Sequence, residues 1–252
     1  MAYAGAAKTY LFTNAGAACV VAIVFYGKLH VKRRSTLLAA SFIAPVLLVL
    51  TFAGPAIDGV HRWIALGPVK LHVAMLVLPF LATSLFSHNK RGSAAVFTVV
   101  ALAIALQPDR ASALALLFMS LCWLLLTRER WPLVTFAVSS AALLGTILTA
   151  DTLPSVPFVE NVIGDAAAIH VSVAVLLLIG MLVPISALLY AGSRCEPDRR
   201  TALFAWSACL TGYFLASLVG PYPVPLLGYG VSPILGFGLA LAIVAGASDE
   251  TA

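Results

Sequence analysis

The chain alternates between long apolar runs and short polar breaks from one end to the other. The runs are continuous rather than alternately apolar and polar, which favours helices over the strands of a membrane barrel. A membrane-crossing helix needs roughly twenty predominantly apolar residues. On that ruler nine spans are predicted, at about 9–27, 36–54, 70–87, 93–107, 111–127, 131–150, 166–190, 201–219 and 234–248. The expected fold is all-α: a polytopic integral membrane helix bundle forming one transmembrane domain over residues 1–252.

Composition supports that reading. Of the 252 residues, 62% are hydrophobic and 10% charged, with a mean hydropathy of +1.03. Soluble domains carry roughly a quarter charged residues. The first run ends in a basic cluster with no small-residue cleavage site, so no cleavable signal peptide is expected. The four cysteines (Cys19, Cys122, Cys195 and Cys209) are scattered, with no Cys-x-x-Cys pair. They point to neither a disulfide framework nor a zinc site, and Cys19, Cys122 and Cys209 are expected as buried small hydrophobes.

Charge sets an orientation. Lys28, Lys32, Arg33 and Arg34 follow the first span, Lys90 and Arg91 the third, and Arg128 and Arg130 the fifth. Arg194, Arg199 and Arg200 follow the seventh, making eleven of the fifteen basic residues. The positive-inside rule then places the N-terminus outside and the C-terminus inside, which an odd number of spans satisfies. The net charge of +5 is explained by these loops, and no nucleic-acid partner is implied.

The distinctive polar segments all fall on the predicted outer side. GPAIDGVHRWIALGPVKLH (54–72) follows the second span, and LQPDRASAL (106–114) lies at the fourth–fifth boundary. The acidic, Pro-punctuated loop DTLPSVPFVENVIGD (151–165) follows the sixth span. GPYPVPLLGYGVSPILGFG (220–238), after the eighth, cannot continue as regular helix and is expected to pack as a re-entrant or capping loop. No phosphate-binding Gly-rich loop, His-Glu-x-x-His or Gly-x-Ser-x-Gly motif is present. His61 and His72 lack a third ligand for a metal site, and no metal or other cofactor is expected.

Three of these segments together resemble the SEDS family (shape, elongation, division and sporulation; the RodA and FtsW type). HRWIALGPVK (61–70) is similar to the family's Arg-Trp-x-x-Leu-Gly segment, and LQPDRASAL keeps its Gln-Pro-Asp. VPLLGYGVSP (224–233) resembles its Pro-Leu/Phe-Ile-Ser-Tyr-Gly-Gly-Ser segment. The resemblance covers roughly residues 10–248. It implies a ten-span fold from which the first span is missing here, leaving nine and an outer N-terminus, in agreement with the charge count. It further implies cell-envelope synthesis in a bacterial inner membrane and a lipid-linked glycan of undecaprenyl type as ligand. A single-span envelope-synthesis protein is implied as partner.

The departures bear on activity. The family's Gln-Pro-Ser-Glu is replaced by His72, Val73, Ala74 and Met75, and alignment on NVIGD (161–165) puts Pro157 where the family polymerases have an essential Asp. The expected protein therefore binds a lipid-linked diphosphate glycan on the outer side without the family's polymerase activity. A second reading keeps a glycosyl- or phospholipid-type transferase with Glu160 or Asp165 as base, because a hydroxyl acceptor needs a base within hydrogen-bond reach. A third is a small transporter or a structural subunit of a larger complex. Candidate diphosphate-holding cations are Arg62, Lys70 and Arg110. Against this stand ordinary pairings: Arg62 or Lys70 with Asp58 or headgroups, and Arg110 with Asp109. Asp109 is a candidate helix cap or site residue. His72 and His170 complete the set as ionisable groups near span ends, with His170 able to approach Asp165. Whether Arg62, Lys70, Asp109, Glu160 and Asp165 converge on one outer cavity is the first question for the structure.

Overall fold

The computed structural model describes residues 8–27, 33–67, 69–83, 85, 89–149, 153, 156, 158–228 and 230–246. Pro157 and Asp151 lie outside them, as do Lys28 and Lys32. The described chain is a bundle of ten helices with one small hairpin: α1 (Lys8–Tyr26), α2 (Arg33–Leu50), β1 (Trp63–Leu66), β2 (Val69–His72), α3 (Val73–Thr83), α4 (Lys90–Leu106), α5 (Arg110–Thr127), α6 (Arg130–Leu148), α7 (Val162–Ile169), α8 (Val171–Ser193), α9 (Pro197–Val219) and α10 (Val231–Gly246). Each predicted span contains a helix. By length and composition, α1, α5, α6, α8 and α9 are long and apolar enough to cross a membrane.

Two predicted spans differ in form. The third begins late, because residues 69–72 pair with β1 as an antiparallel hairpin (Trp63 opposite His72, Leu66 opposite Val69). Gly67, at φ +60°, supplies the left-handed turn residue, so the helical bundle carries one short hairpin beside its helices. The seventh span is broken at His170, whose extended backbone (φ −164°, ψ 133°) ends α7 and caps α8.

Helices α5 and α9 form the centre. Sixty-seven per cent of the apolar window of α9 is buried, against 17% for α8 and 6% for α1. Their close approach is set by small residues: a Cβ on Gly212 of α9 would lie 2.5 Å from the Ala115 Cα of α5. Across the same interface the Ser112 and Tyr213 hydroxyls hydrogen-bond at 2.9 Å, which satisfies two polar groups without water. Likewise α10 lies on α3 where Gly236 faces the Met75 and Leu76 carbonyls. The Trp206 indole donates to the Pro79 carbonyl, tying α9 to α3. The outward faces of α1 and α8 carry exposed Leu, Ile, Val and Phe, as lipid-facing surfaces do. That arrangement corrects the expectation for Cys19: it is exposed on α1, which packs chiefly on α10, whereas Cys209 is buried in α9 and Cys122 half-buried.

Candidate functional site

The site is built on the turn between α4 and α5. Gln107 ends α4 and is 1% exposed. Its side-chain Nε2 donates to the Leu48 carbonyl (3.2 Å) and the Thr51 hydroxyl (2.6 Å), so it fastens this turn to the end of α2. The turn's own carbonyls face the other way and receive Arg62. Its Nε donates to Gln107 O at 2.9 Å and its Nη2 to Pro108 O at 2.6 Å. Arg62 is 6% exposed, so this pairing satisfies polar groups that burial would otherwise leave costly.

Asp109 then caps α5, its Oδ1 accepting the Ser112 N–H at 3.1 Å. Its Oδ2 is buried, makes no conventional hydrogen bond, and lies 3.3 Å from His72 Nε2. His72 arrives at the end of β2, held by its N–H donating to the Ser232 hydroxyl at 2.7 Å. Its Nδ1 accepts the Met75 N–H at 3.4 Å, which favours the tautomer carrying the proton on Nε2, toward Asp109. Arg62, His72 and Asp109 are thus brought together from distant parts of the chain by one hairpin and one turn.

Electrostatics follow from burial. Burial pushes the His72 pKa down, and Arg62 adds to this, outweighing the opposite pull of Asp109. For Asp109, burial alone acts upward. The charges of His72 and Arg62 and its bonds from Ser112 outweigh it and hold the carboxyl below the ordinary carboxylate range. At neutral pH the cluster is an ionised Asp109 beside the Arg62 cation and a neutral His72.

This has a testable consequence. With the native pKa of His72 below the unfolded value of 6.5, the unfolded chain binds the extra proton first. Stability is then full above pH 6.5 and declines as pH falls from 6.5 through the native pKa. Melting of detergent-solubilised protein between pH 7.5 and 5 is expected to show that decline, and His72→Gln to flatten it. An unchanged slope in His72→Gln would remove His72 as its source.

A cleft of about 210 Å³ opens beside the cluster. Arg62, His72, Asp109, Arg110 and Glu160 line it, with Trp63 and Tyr222 as its aromatic walls. Arg110 does not pair with Asp109. Its Nε donates to Thr146 O (3.0 Å) and its Nη2 to Thr149 O (2.8 Å) and Ile147 O (3.4 Å), capping α6. No bond of its Nη1 is present among the described residues. Nor does Arg62 need Asp58, since backbone carbonyls take its place. Glu160 reaches the cleft because 158–160 lies against the Pro-Gly loop: Glu160 bridges to Pro223, and Val224 N donates to Val159 O at 3.3 Å. Its Oε2 accepts the Val156 N–H at 3.0 Å.

Arg62, Asp109 and Glu160 thus line one cleft together with His72 and Arg110. Lys70 is exposed on β2 and does not line the cleft. Asp165 sits in the first turn of α7, where it accepts from Asn161 Nδ2 at 3.0 Å, away from the cleft lining. His170 bonds Ser172 (Nδ1 to Oγ 2.8 Å) instead of approaching Asp165. Sequence reasoning did not anticipate the clamp by Gln107 or the anchoring by Ser232. Both lie inside the polar segments singled out, but nothing in a linear pattern tells which groups meet across the bundle.

Neither a protein-family model nor a curated protein matches the chain. Solved structures do. The rod shape determining protein RodA of Thermus thermophilus superposes with a TM-score of 0.69 at 18% identity, covering 97% of this chain and 89% of that one. An Asp-to-Ala mutant of the same protein gives 0.70 at 19% identity with the same coverage. A chain from a structure described as a peptidoglycan synthase complex that coordinates polymerization and crosslinking gives 0.66 at 19%, covering 95% and 90%. Over nearly its whole length, then, the chain has the fold of RodA.

Proposed function

We propose that this chain is a SEDS-type membrane protein of envelope synthesis. In this reading nine spans cross the bacterial inner membrane, with the N-terminus outside, and the cleft opens on the extracytoplasmic side. The ligand is a lipid-linked diphosphate glycan of undecaprenyl type. The observation that carries the reading is the cleft itself: on a RodA-type fold, three separate segments deliver two guanidiniums, an imidazole and two carboxylates to one space, and a fourth adds Tyr222. Arg110 Nη1, with the Arg62 charge behind it, offers positive charge to the diphosphate, and Trp63 and Tyr222 offer faces to a sugar. A single-span envelope-synthesis protein is the proposed partner.

The polymerase activity of the family is proposed to be absent. Arg62 is committed to the Gln107 and Pro108 carbonyls and Asp109 to the cap of α5 and to His72, and the match to the family puts Pro157 at the position of the polymerase Asp. A transferase reading retains one supporting observation, the presence of Glu160 in the cleft wall. Asp165 and His170, outside the lining, have no such support.

Purified protein is expected to bind an undecaprenyl-diphosphate disaccharide and to yield no elongated glycan. Glu160→Gln is expected to leave binding within about twofold of wild type. Elongated product that disappears in Glu160→Gln would establish the transferase reading instead. Failure to bind at all would leave the transporter or structural-subunit reading.

A further inference from the structure

The end of the bundle away from the cleft holds a second built surface. The cleft meets α4 at its last residues and α5 at its first. The opposite ends of these helices lie about 25 Å away, the length of a 17-residue helix. There Lys90 and Arg91 open α4, Arg128 caps α5, and Glu129 and Arg130 lead into α6. Glu129 is the one carboxylate among these five residues, and Lys90 engages it. Arg91, Arg128 and Arg130 meet no carboxylate among the described residues.

Two of these guanidiniums share one aromatic ring. Arg91 Cζ lies 5.8 Å and Arg130 Cζ 5.0 Å from the centroid of Trp131. The indole is itself packed against the main core, so it is a fixed platform. Stacking on the ring face leaves the N–H edge of a guanidinium free to donate in its own plane, the geometry that grips phosphate oxygens. Helix α6 starts at this point with no side-chain cap on its first N–H groups, adding positive potential. Directly beside it Leu125, Leu126, Leu133 and Val134 are exposed and apolar. Clustered phosphate-gripping cations next to apolar, lipid-facing helix surface match a molecule with an anionic head and acyl tails.

We infer that Arg91, Arg128 and Arg130, arrayed on and beside Trp131, form a binding site for an anionic phospholipid headgroup, in the leaflet opposite the cleft. The phosphate sits between the Arg91 and Arg130 guanidiniums, and the acyl chains lie along the exposed leucines of α5 and α6. This does not depend on what the cleft binds. A diphosphatidyl lipid, with two phosphates, fits three cations better than a single-phosphate lipid.

The test is titration of the purified full chain, in neutral detergent, with diphosphatidylglycerol or phosphatidylcholine, read by native mass spectrometry and by thermal stabilisation. Wild type is expected to retain and be stabilised by diphosphatidylglycerol and not phosphatidylcholine. The double variant R91Q/R130Q is expected to bind it roughly 30-fold more weakly, at the usual contribution of a basic residue near an anionic lipid. Should that variant fold poorly, Trp131→Leu keeps apolar packing while removing the platform, and is expected to weaken binding several-fold. R199Q/R200Q removes equal charge from another basic loop and is expected to bind like wild type. Equal losses in both double variants would show only a diffuse basic surface, and undiminished binding in R91Q/R130Q would likewise overturn the site.

Discussion

Arg62→Ala is expected to destabilise the protein by about 3–5 kcal/mol, the cost of breaking a buried charge cluster by removing one member. Three losses combine. The carbonyls of Gln107 and Pro108 lose their donors, at about 1–3 kcal/mol for each buried group left unsatisfied. Asp109 stays buried and ionised with one cation fewer. The hairpin, whose Arg62 carbonyl accepts the Val73 N–H at 3.0 Å, loses its side-chain anchor to the α4–α5 turn. Because Asp109 caps α5 at the cleft, binding there should fall with stability. Arg62→Lys keeps the charge but cannot reach two carbonyls from one planar fork, so it should recover less than half of the loss. The check is thermal unfolding in detergent followed by glycan-lipid binding. An Arg62→Ala protein melting within a degree of wild type would show that the buried guanidinium is not needed to hold the turn.

The second large effect is expected at the central helix pair. Gly212→Val should cost about 3 kcal/mol or more, at or above the usual upper range for overpacking. The reason is that the new Cβ meets backbone rather than a movable side chain: 2.5 Å to Ala115 Cα, and 2.9 Å to Ala115 N and Leu114 O. The helices must separate, which also pulls apart the Ser112–Tyr213 hydroxyl pair. Since those contacts are to backbone, Ala115→Gly on the same protein should not rescue it. Rescue, or a neutral Gly212→Val, would mean that α5 and α9 are farther apart than this packing requires. Unfolding of the wild type and these two variants decides it.

These two predictions mark the division between what the chain displays locally and what it does not. The positions of the apolar helices were readable because lipid demands long apolar helices with internally satisfied backbones, and that demand acts residue by residue. Three of the four segments stood out because ionisable groups are rare in such a chain and cluster where water or a ligand is met, and 220–238 because its prolines and glycines cannot continue a helix. The helix cap at Asp109 was also within reach, being a matter of neighbouring residues. The resemblance of HRWIALGPVK, LQPDRASAL and VPLLGYGVSP to one family pointed to the fold that the RodA structures share.

Partner choice was not readable. Asp58, Asp109 or a headgroup were all reasonable partners for Arg62 and Arg110 from spacing alone, yet backbone carbonyls took both guanidiniums. A carbonyl leaves no signature in a sequence, because every residue has one; only the way a turn aims it decides whether it can be used. Lys70, Asp165 and His170 looked equivalent to Arg62, Glu160 and His72 by composition. They differ because strand pairing turns Lys70 outward while His72 lands on Asp109, and because the break at His170 leaves Asp165 and His170 with local partners. Of the acidic loop's described carboxylates, Glu160 reaches the cleft and Asp165 does not, and Glu160 is held there by its bridge to Pro223 of the Pro-Gly loop. Local chemistry determined which segments carry polar groups, and tertiary packing decided which of those groups meet, since meeting depends on the directions in which turns, strands and helix ends point their atoms.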